Sequence, residues 1–327
     1  MKKCFFTVCI LFLLAFPACS ATPRKMDSEQ FVNLCMHGTA EEVLKALKSG
    51  AKANAKNKDG MTALMSASLN SGGSAPRIIK ILLSAGADIR AKLEGGGTAL
   101  ILAAMFNRDI GVFKALLDGG ANIHDKDSGG RTALMWAAGL EKNTDIIRFL
   151  LDAGAYVNER GNQQETPLML AAGVNKNPEV IRCLIGAGAD VNAKAKHEMT
   201  VLMTAAMGNS NPEVIRVLID AGANVNARGE NKVTALMLAA SESETPNVVK
   251  ALIEGGADVN AKAKNNVTAL MTAAETGKDP YILRLLLNAG ADAKAKDSWG
   301  RTALKFAQKN KKLKGSDALK LLEKKSH

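Results

Sequence analysis

Aromatic residues make up only 4% of this chain of 327 residues, which excludes a core built on large rings. Ala, Gly, Leu, Ile, Val and Met must do the packing, and that suits thin, closely stacked helices. Histidine is just as sparse. His37, His124, His197 and His327 have no pairing spacing, so no zinc site is read. The chain lacks a GxSxG elbow, an HExxH pair and a phosphate-binding glycine loop. Glu94–Thr98 (EGGGT) reads as a flexible turn. Nothing assembles a nucleophile, a base and an orienting group in one place. No catalytic residue, cofactor or metal is expected.

Long apolar runs are also missing. The longest, Phe5 to Phe16, is too short to cross a bilayer as a helix. It follows Met1-Lys2-Lys3, is broken by Pro17, and leads to the small residues Ala18-Cys19-Ser20-Ala21. Residues 1–21 therefore read as a bacterial export signal, with 22–27 as a short linker. Two endings stay open. Ordinary cleavage near Ser20 or Ala21 gives a periplasmic or secreted protein. Lipidation of Cys19, whose setting Phe16-Pro17-Ala18-Cys19 resembles a lipoprotein box with poor residues at Phe16 and Pro17, gives one anchored in the envelope.

What the chain has in abundance is repetition. TPLMLAAGVNKNPEVIRCLIGAGADVNAKAKHEM from Thr166 is followed by TVLMTAAMGNSNPEVIRVLIDAGANVNARGENKV from Thr200. The opening threonine returns at Thr62, Thr98, Thr132, Thr166, Thr200, Thr234, Thr268 and Thr302, first after 36 residues and then every 34. A fixed period of this length predicts a solenoid, each unit burying its apolar face only against its neighbours. Within a unit, Leu168, Met169, Ala171 and Ala172 follow helical spacing, ended by Gly173. Asn177-Pro178 opens a second helix striped with Val180, Ile181, Leu184 and Ile185. Gly188 then offers a left-handed cap. A short extended stretch, Asp190–Ala193, leads to a polar projection. Beyond the first 19 residues only Cys35 and Cys183 remain. They stand about four stacked units apart, whereas a disulfide needs Cα atoms within about 7 Å. Both thiols read as small core residues.

These motifs resemble those of ankyrin-repeat proteins across residues 28–327. The TPLHxAA…LLxxGAdvNa pattern of that family is visible in every unit between Thr62 and Lys294. The resemblance implies an all-α solenoid of stacked helix-loop-helix units with hairpin-like projections. It divides into an N-terminal cap (28–61), seven full repeats (62–301) and a C-terminal cap (302–327). The departures are informative. The family histidine is replaced by Met65, Ile101, Met135, Met169, Met203, Met237, Met271 and Lys305. Stacked methionines could hold soft copper ions, but core positions hide the sulfur and favour plain gap-filling. The projection glycine, kept at Gly60, Gly96, Gly130 and Gly300, becomes Gln164, Glu198, Lys232 and Asn266. A different turn geometry is expected in those four.

The resemblance further implies a non-catalytic module that binds another protein on the concave face formed by the first helices and the projections. Positions just before the threonine, and fourth, seventh and eighth after it, point there. They read Leu69, Leu102, Met105, Phe106, Trp136, Leu140 and Val174, with Met199 and Met207 beyond. The later half reads Ser241, Glu242, Thr272, Glu275 and Thr276. The face thus changes from apolar to polar. The projection tips, His197, Glu198, Glu230 and Lys232 among them, would form a polar rim. Charge is uneven as well. Of the net +11, residues 302–327 carry +6 and residues 4–301 only +3. The basic cap, or lipid on Cys19, is the one expected route to a membrane, and would make the chain an envelope-tethered scaffold or spacer. Nucleic acid is not expected, since no aromatic platform accompanies the lysines.

Overall fold

The computed structural model describes residues 26–140, 144–242, 245–276 and 279–326. The N-terminal apolar segment and Cys19 lie outside the described residues. The chain runs through helix pairs α1 (Ser28–His37) and α2 (Ala40–Lys48), α3 (Ala63–Ser68) and α4 (Ala75–Ser84), α5 (Ala99–Phe106) and α6 (Ile110–Asp118), α7 (Ala133–Leu140) and α8 (Thr144–Asp152), α9 (Pro167–Val174) and α10 (Pro178–Gly186), α11 (Val201–Gly208) and α12 (Pro212–Asp220), α13 (Ala235–Glu242) and α14 (Pro246–Glu254), α15 (Ala269–Thr276) and α16 (Pro280–Asn288), and α17 (Ala303–Ala307) and α18 (Asp317–Ser326). First helices stack on first helices and second on second, giving the expected all-α solenoid.

The recurring threonine is a helix cap. The hydroxyl of Thr62, Thr98, Thr132, Thr166, Thr200, Thr234 and Thr268 accepts the N–H three residues on at 3.2–3.4 Å. It is itself buried. Each first helix is then apolar nearly all round. The paired alanines, such as Ala103-Ala104, Ala171-Ala172 and Ala205-Ala206, are fully buried and let successive backbones approach closely. The ladder Met65, Ile101, Met135, Met169, Met203, Met237, Met271 is buried too. It ends in the exposed Lys305. Helices this short do not persist alone, so stacking holds them. The second helices bury one stripe, in α10 Val180, Ile181 and Leu184. All but α18 close on a glycine with φ between +83° and +95°, Gly50, Gly86, Gly120, Gly154, Gly188, Gly222, Gly256 and Gly290.

Two ladders of asparagine tie neighbouring units. On the exposed edge, the amides of Asn54, Asn158, Asn192, Asn226 and Asn260 donate to the capping-glycine carbonyl of the next unit at 2.8–3.0 Å. Each amide oxygen accepts the N–H of the residue two places beyond that glycine. In the buried loops between paired helices, Asn70, Asn107, Asn175 and Asn209 donate to carbonyls ending the preceding unit's first helix. The exposed ladder is interrupted at Arg90 and His124. There the ties are ionic and aromatic: Lys92 to Asp125 at 2.9 Å, Lys126 to Glu159 at 2.6 Å, and His124 stacked on Tyr156 at 4.1 Å. The hydrogen bond from Lys126 holds the Glu159 carboxyl below its usual range. His124 is thus a half-buried stacking residue.

Some expectations need correction. Asp190–Ala193 is a tight turn, closed by the Ala193 N–H on the Asp190 carbonyl, because Asn192 must turn to reach the next unit. Cys35 is buried, and burial pushes its thiol up to about 12. Cys183, by contrast, is only half-buried. The projections take two forms. Gly60, Gly96, Gly130 and Gly300 each supply one left-handed residue, and so does Gln164 with φ +62°. The next three have two in succession: His197-Glu198, Asn231-Lys232 and Asn265-Asn266, all with φ between +56° and +61°. Paired positive φ angles make a type I′ turn. Three of the four non-glycine projections therefore differ as expected, and the first keeps the glycine form. A β-carbon in this region costs about 1–2 kcal/mol. Lys232→Gly is therefore expected to stabilise the fold by about 0.5 kcal/mol after glycine's larger chain entropy is set against it. Urea unfolding would show this as a raised midpoint, and a lowered one would refute it.

Candidate functional site

The residues expected on the concave face separate by depth. Leu102 is only 8% exposed. Its position, fourth after the threonine, also holds half-buried Leu170 and Leu238 and buried Phe306, so this position faces the seam between units. Trp136, at the same position, is half-buried. Its indole N–H donates to Asp127 Oδ2 at 2.9 Å, and the Arg131 guanidinium lies 5.2 Å from its ring. Asp127 also accepts the N–H groups of Gly129 and Arg131. Trp136 thus braces a projection, where the sequence suggested a free anchor. Leu69, Met105 and Met199 are half-buried as well.

Phe106, Leu140, Val174 and Met207 remain in the open. Phe106 and Val174 are 64% and 63% exposed. They lie in the last turns of α5, α7, α9 and α11, one from each of four successive units, with Phe106, Leu140 and Val174 eighth after the threonine and Met207 seventh. Between Leu140 and Val174 the surface sinks into a shallow depression of about 500 Å³ floored by Gly139 and edged by Asn175, Lys176 and Asn177. Beyond Met207 the row turns polar. Thr276 is exposed there, and its hydroxyl donates to Ser241 Oγ at 3.1 Å.

The family model for ankyrin repeats, in arrays of three copies, matches residues 31–127, 70–161, 100–195, 168–263 and 236–326. The chain belongs to the ankyrin-repeat family. Ankyrin repeats are in general modules of protein–protein interaction, typically without catalysis. Comparison with the curated proteins returns no match.

In this ankyrin stack the polar rim sits apart from the apolar row. The projections join the N-terminal ends of the first helices and the row lies at their C-terminal ends, about 12 Å away for eight residues. Three of the four rim residues are engaged by neighbours: His197 Nδ1 lies 2.5 Å from Glu230 Oε2, and Glu198 pairs with Lys194 at 2.6 Å. Lys232 is exposed beside Asn231, Asn265 and Asn266 in an open cleft between two tips. Sequence reasoning passed over Trp299, which is 62% exposed on the last projection. Its position three residues before Thr302 in a lysine-rich end was the available signal. Among the described residues, no group of three His, Cys, Asp or Glu side chains is placed to hold a metal ion.

Proposed function

We propose that this ankyrin-repeat protein binds a protein partner, without catalysis, along the row Phe106, Leu140, Val174 and Met207. The observation that carries the reading is the placement of that row: four exposed apolar side chains from four successive units, on helices whose other apolar residues are buried or half-buried. Exposed apolar surface in a contiguous patch marks an interaction site more often than it is incidental. At about 8–10 Å per packed helix the row extends roughly 30 Å. The stack is preformed, so little ordering opposes binding. The reading of residues 1–21 as an export signal places the partner outside the cytoplasm.

Changing Phe106, Val174 and Met207 together to serine is expected to lower partner affinity at least 100-fold, since each buried apolar side chain contributes about 1.5–3 kcal/mol. The test is a cross-linked pull-down from envelope extract of the native organism, wild type beside variant, followed by titration of the recovered partner. Trp136 is left intact because it braces its own projection. Equal affinity for the two proteins, at matched helix content, would remove the row from consideration.

A further inference from the structure

The last unit carries a second surface, unrelated to the apolar row. Among the described residues no further unit packs on its outer face, and the sequence from 298 to 316 contains no carboxylate. Lys305, Lys309, Lys311, Lys312 and Lys314 are all exposed there. Among the described residues none of these five takes part in an ion pair. The projection that leads into this unit carries Trp299, 62% exposed. Arg301 is held beneath it, its guanidinium 4.8 Å from the Trp299 ring and 4.6 Å from that of Phe306, and its Nε donates to Asp297 Oδ2 at 2.7 Å. Asp297 is buried and accepts the N–H groups of Trp299 and Arg301 as well. This construction holds an indole outward from a rigid base. The Lys309 N–H donates to the Phe306 carbonyl in the turn that follows α17, three residues beyond the ring on which Arg301 packs.

We propose that the C-terminal end of the stack docks on an anionic lipid surface, the lysines facing the headgroups and Trp299 entering the interface. The side chains favour lipid over nucleic acid. Phosphate recognition in nucleic acid leans on bidentate arginine, and the one arginine here is committed to Asp297 and two rings. Single-stranded binding needs a succession of stacking rings, and one indole is exposed. A tryptophan at headgroup level beside a lysine cluster meets the demands of a charged bilayer surface.

The test is vesicle co-sedimentation of the full chain. Phosphatidylcholine vesicles are compared with vesicles containing about one-third phosphatidylglycerol, each surface lysine contributing about fivefold on the latter. Wild type is expected to favour the anionic vesicles at least about 1,000-fold, a preference that falls as salt rises. Changing Lys309, Lys311 and Lys312 together to glutamine should cut that preference about 100-fold. Trp299→Ser should lower binding to the anionic vesicles roughly tenfold while leaving the preference between the two vesicles in place. Residues 1–25 are common to all variants and cannot produce these differences. Equal binding to both vesicles would overturn the proposal. So would wild-type behaviour of the lysine variant, or release from vesicles by a duplex oligonucleotide at lower phosphate concentration than competing lipid. Because the surface lies outside the units that carry Phe106 to Met207, neither result bears on the partner row.

Discussion

Asn209→Asp is expected to remove about 3–5 kcal/mol of unfolding free energy. Asn209 sits in the loop after α11 and is 4% exposed. Its amide nitrogen donates to the Ala172 carbonyl at 2.9 Å and the Asn175 carbonyl at 2.8 Å, while Oδ1 accepts from the Asn211 N–H at 2.9 Å. Aspartate keeps the shape and the acceptor but loses both donors. Two carbonyls at the end of α9 are then left without their protein partner, each costing about 1–3 kcal/mol. An anion is also set against their negative ends, in a place water does not reach freely. Asn226→Asp makes the same exchange on the exposed ladder, where Asn226 donates to the Gly256 carbonyl at 3.0 Å. Water can satisfy that carbonyl, so about 1 kcal/mol is expected. Urea unfolding of both variants gives the comparison, and equal losses would refute the buried-ladder account. In a one-dimensional array a local loss of this size can also split one unfolding transition into two.

Gly130→Ala is expected to cost about 2–4 kcal/mol, against about 1 kcal/mol for Gly60→Ala. Both glycines have nearly the same backbone, φ +76° and +77°. The strain of a β-carbon in the left-handed region is therefore common to the two and cancels in the comparison. They differ in their neighbours. A β-carbon on Gly60 meets nothing within 4 Å, whereas one on Gly130 would sit 2.7 Å from the backbone nitrogen of Asn162. That nitrogen donates to the Gly129 carbonyl at 3.0 Å, and the Asn162 side chain donates to the Ser128 carbonyl at 2.9 Å. The clash cannot be relieved by turning a flexible side chain. It must push two projections apart and break the bonds between them. Thermal unfolding of the two single variants isolates this packing contribution, and equal shifts would show that the projections do not lean on one another.

These cases show where the sequence was readable. The threonine caps, the closing glycines and the second-helix starts at Asn177-Pro178 and Asn211-Pro212 are local features. Residue type alone dictates their conformation, so the period exposes them. The asparagine ladders were just as periodic, yet their meaning lies in carbonyls of the adjoining copy, and nothing local to Asn192 or Asn209 points there. The interaction face was half readable for a related reason. Helical spacing places Leu102, Phe106 and Trp136 on one side of their helices. How far each lies from solvent depends on the tilt against the neighbouring helix, and that buries Leu102. Trp136 was claimed by Asp127, nine residues earlier on a projection. Phe106 and Val174 stayed open because they are the last turn of their helices, past the point where the next unit covers them.

The alternation of tie chemistry along the stack has a hereditary consequence. From Asn158 to Gly290 each amide spans to an identical carbonyl 30 residues on, and the copies follow at 34. Excision of one whole copy, such as 200–233, would leave Asn192 facing the carbonyl of Gly256, the same group it had lost at Gly222. Unequal recombination between these copies can therefore lengthen or shorten the array without inventing a new joint. The earlier copies are different. Lys92 is matched to Asp125 and Lys126 to Glu159. Loss of the copy 98–131 would bring Lys92 to Glu159 and keep an ion pair, whereas loss of 132–165 would bring Lys126 to Ala193 and strand its charge. The ionic joints can thus replace one another, but the last of them is fixed where the asparagine ladder resumes.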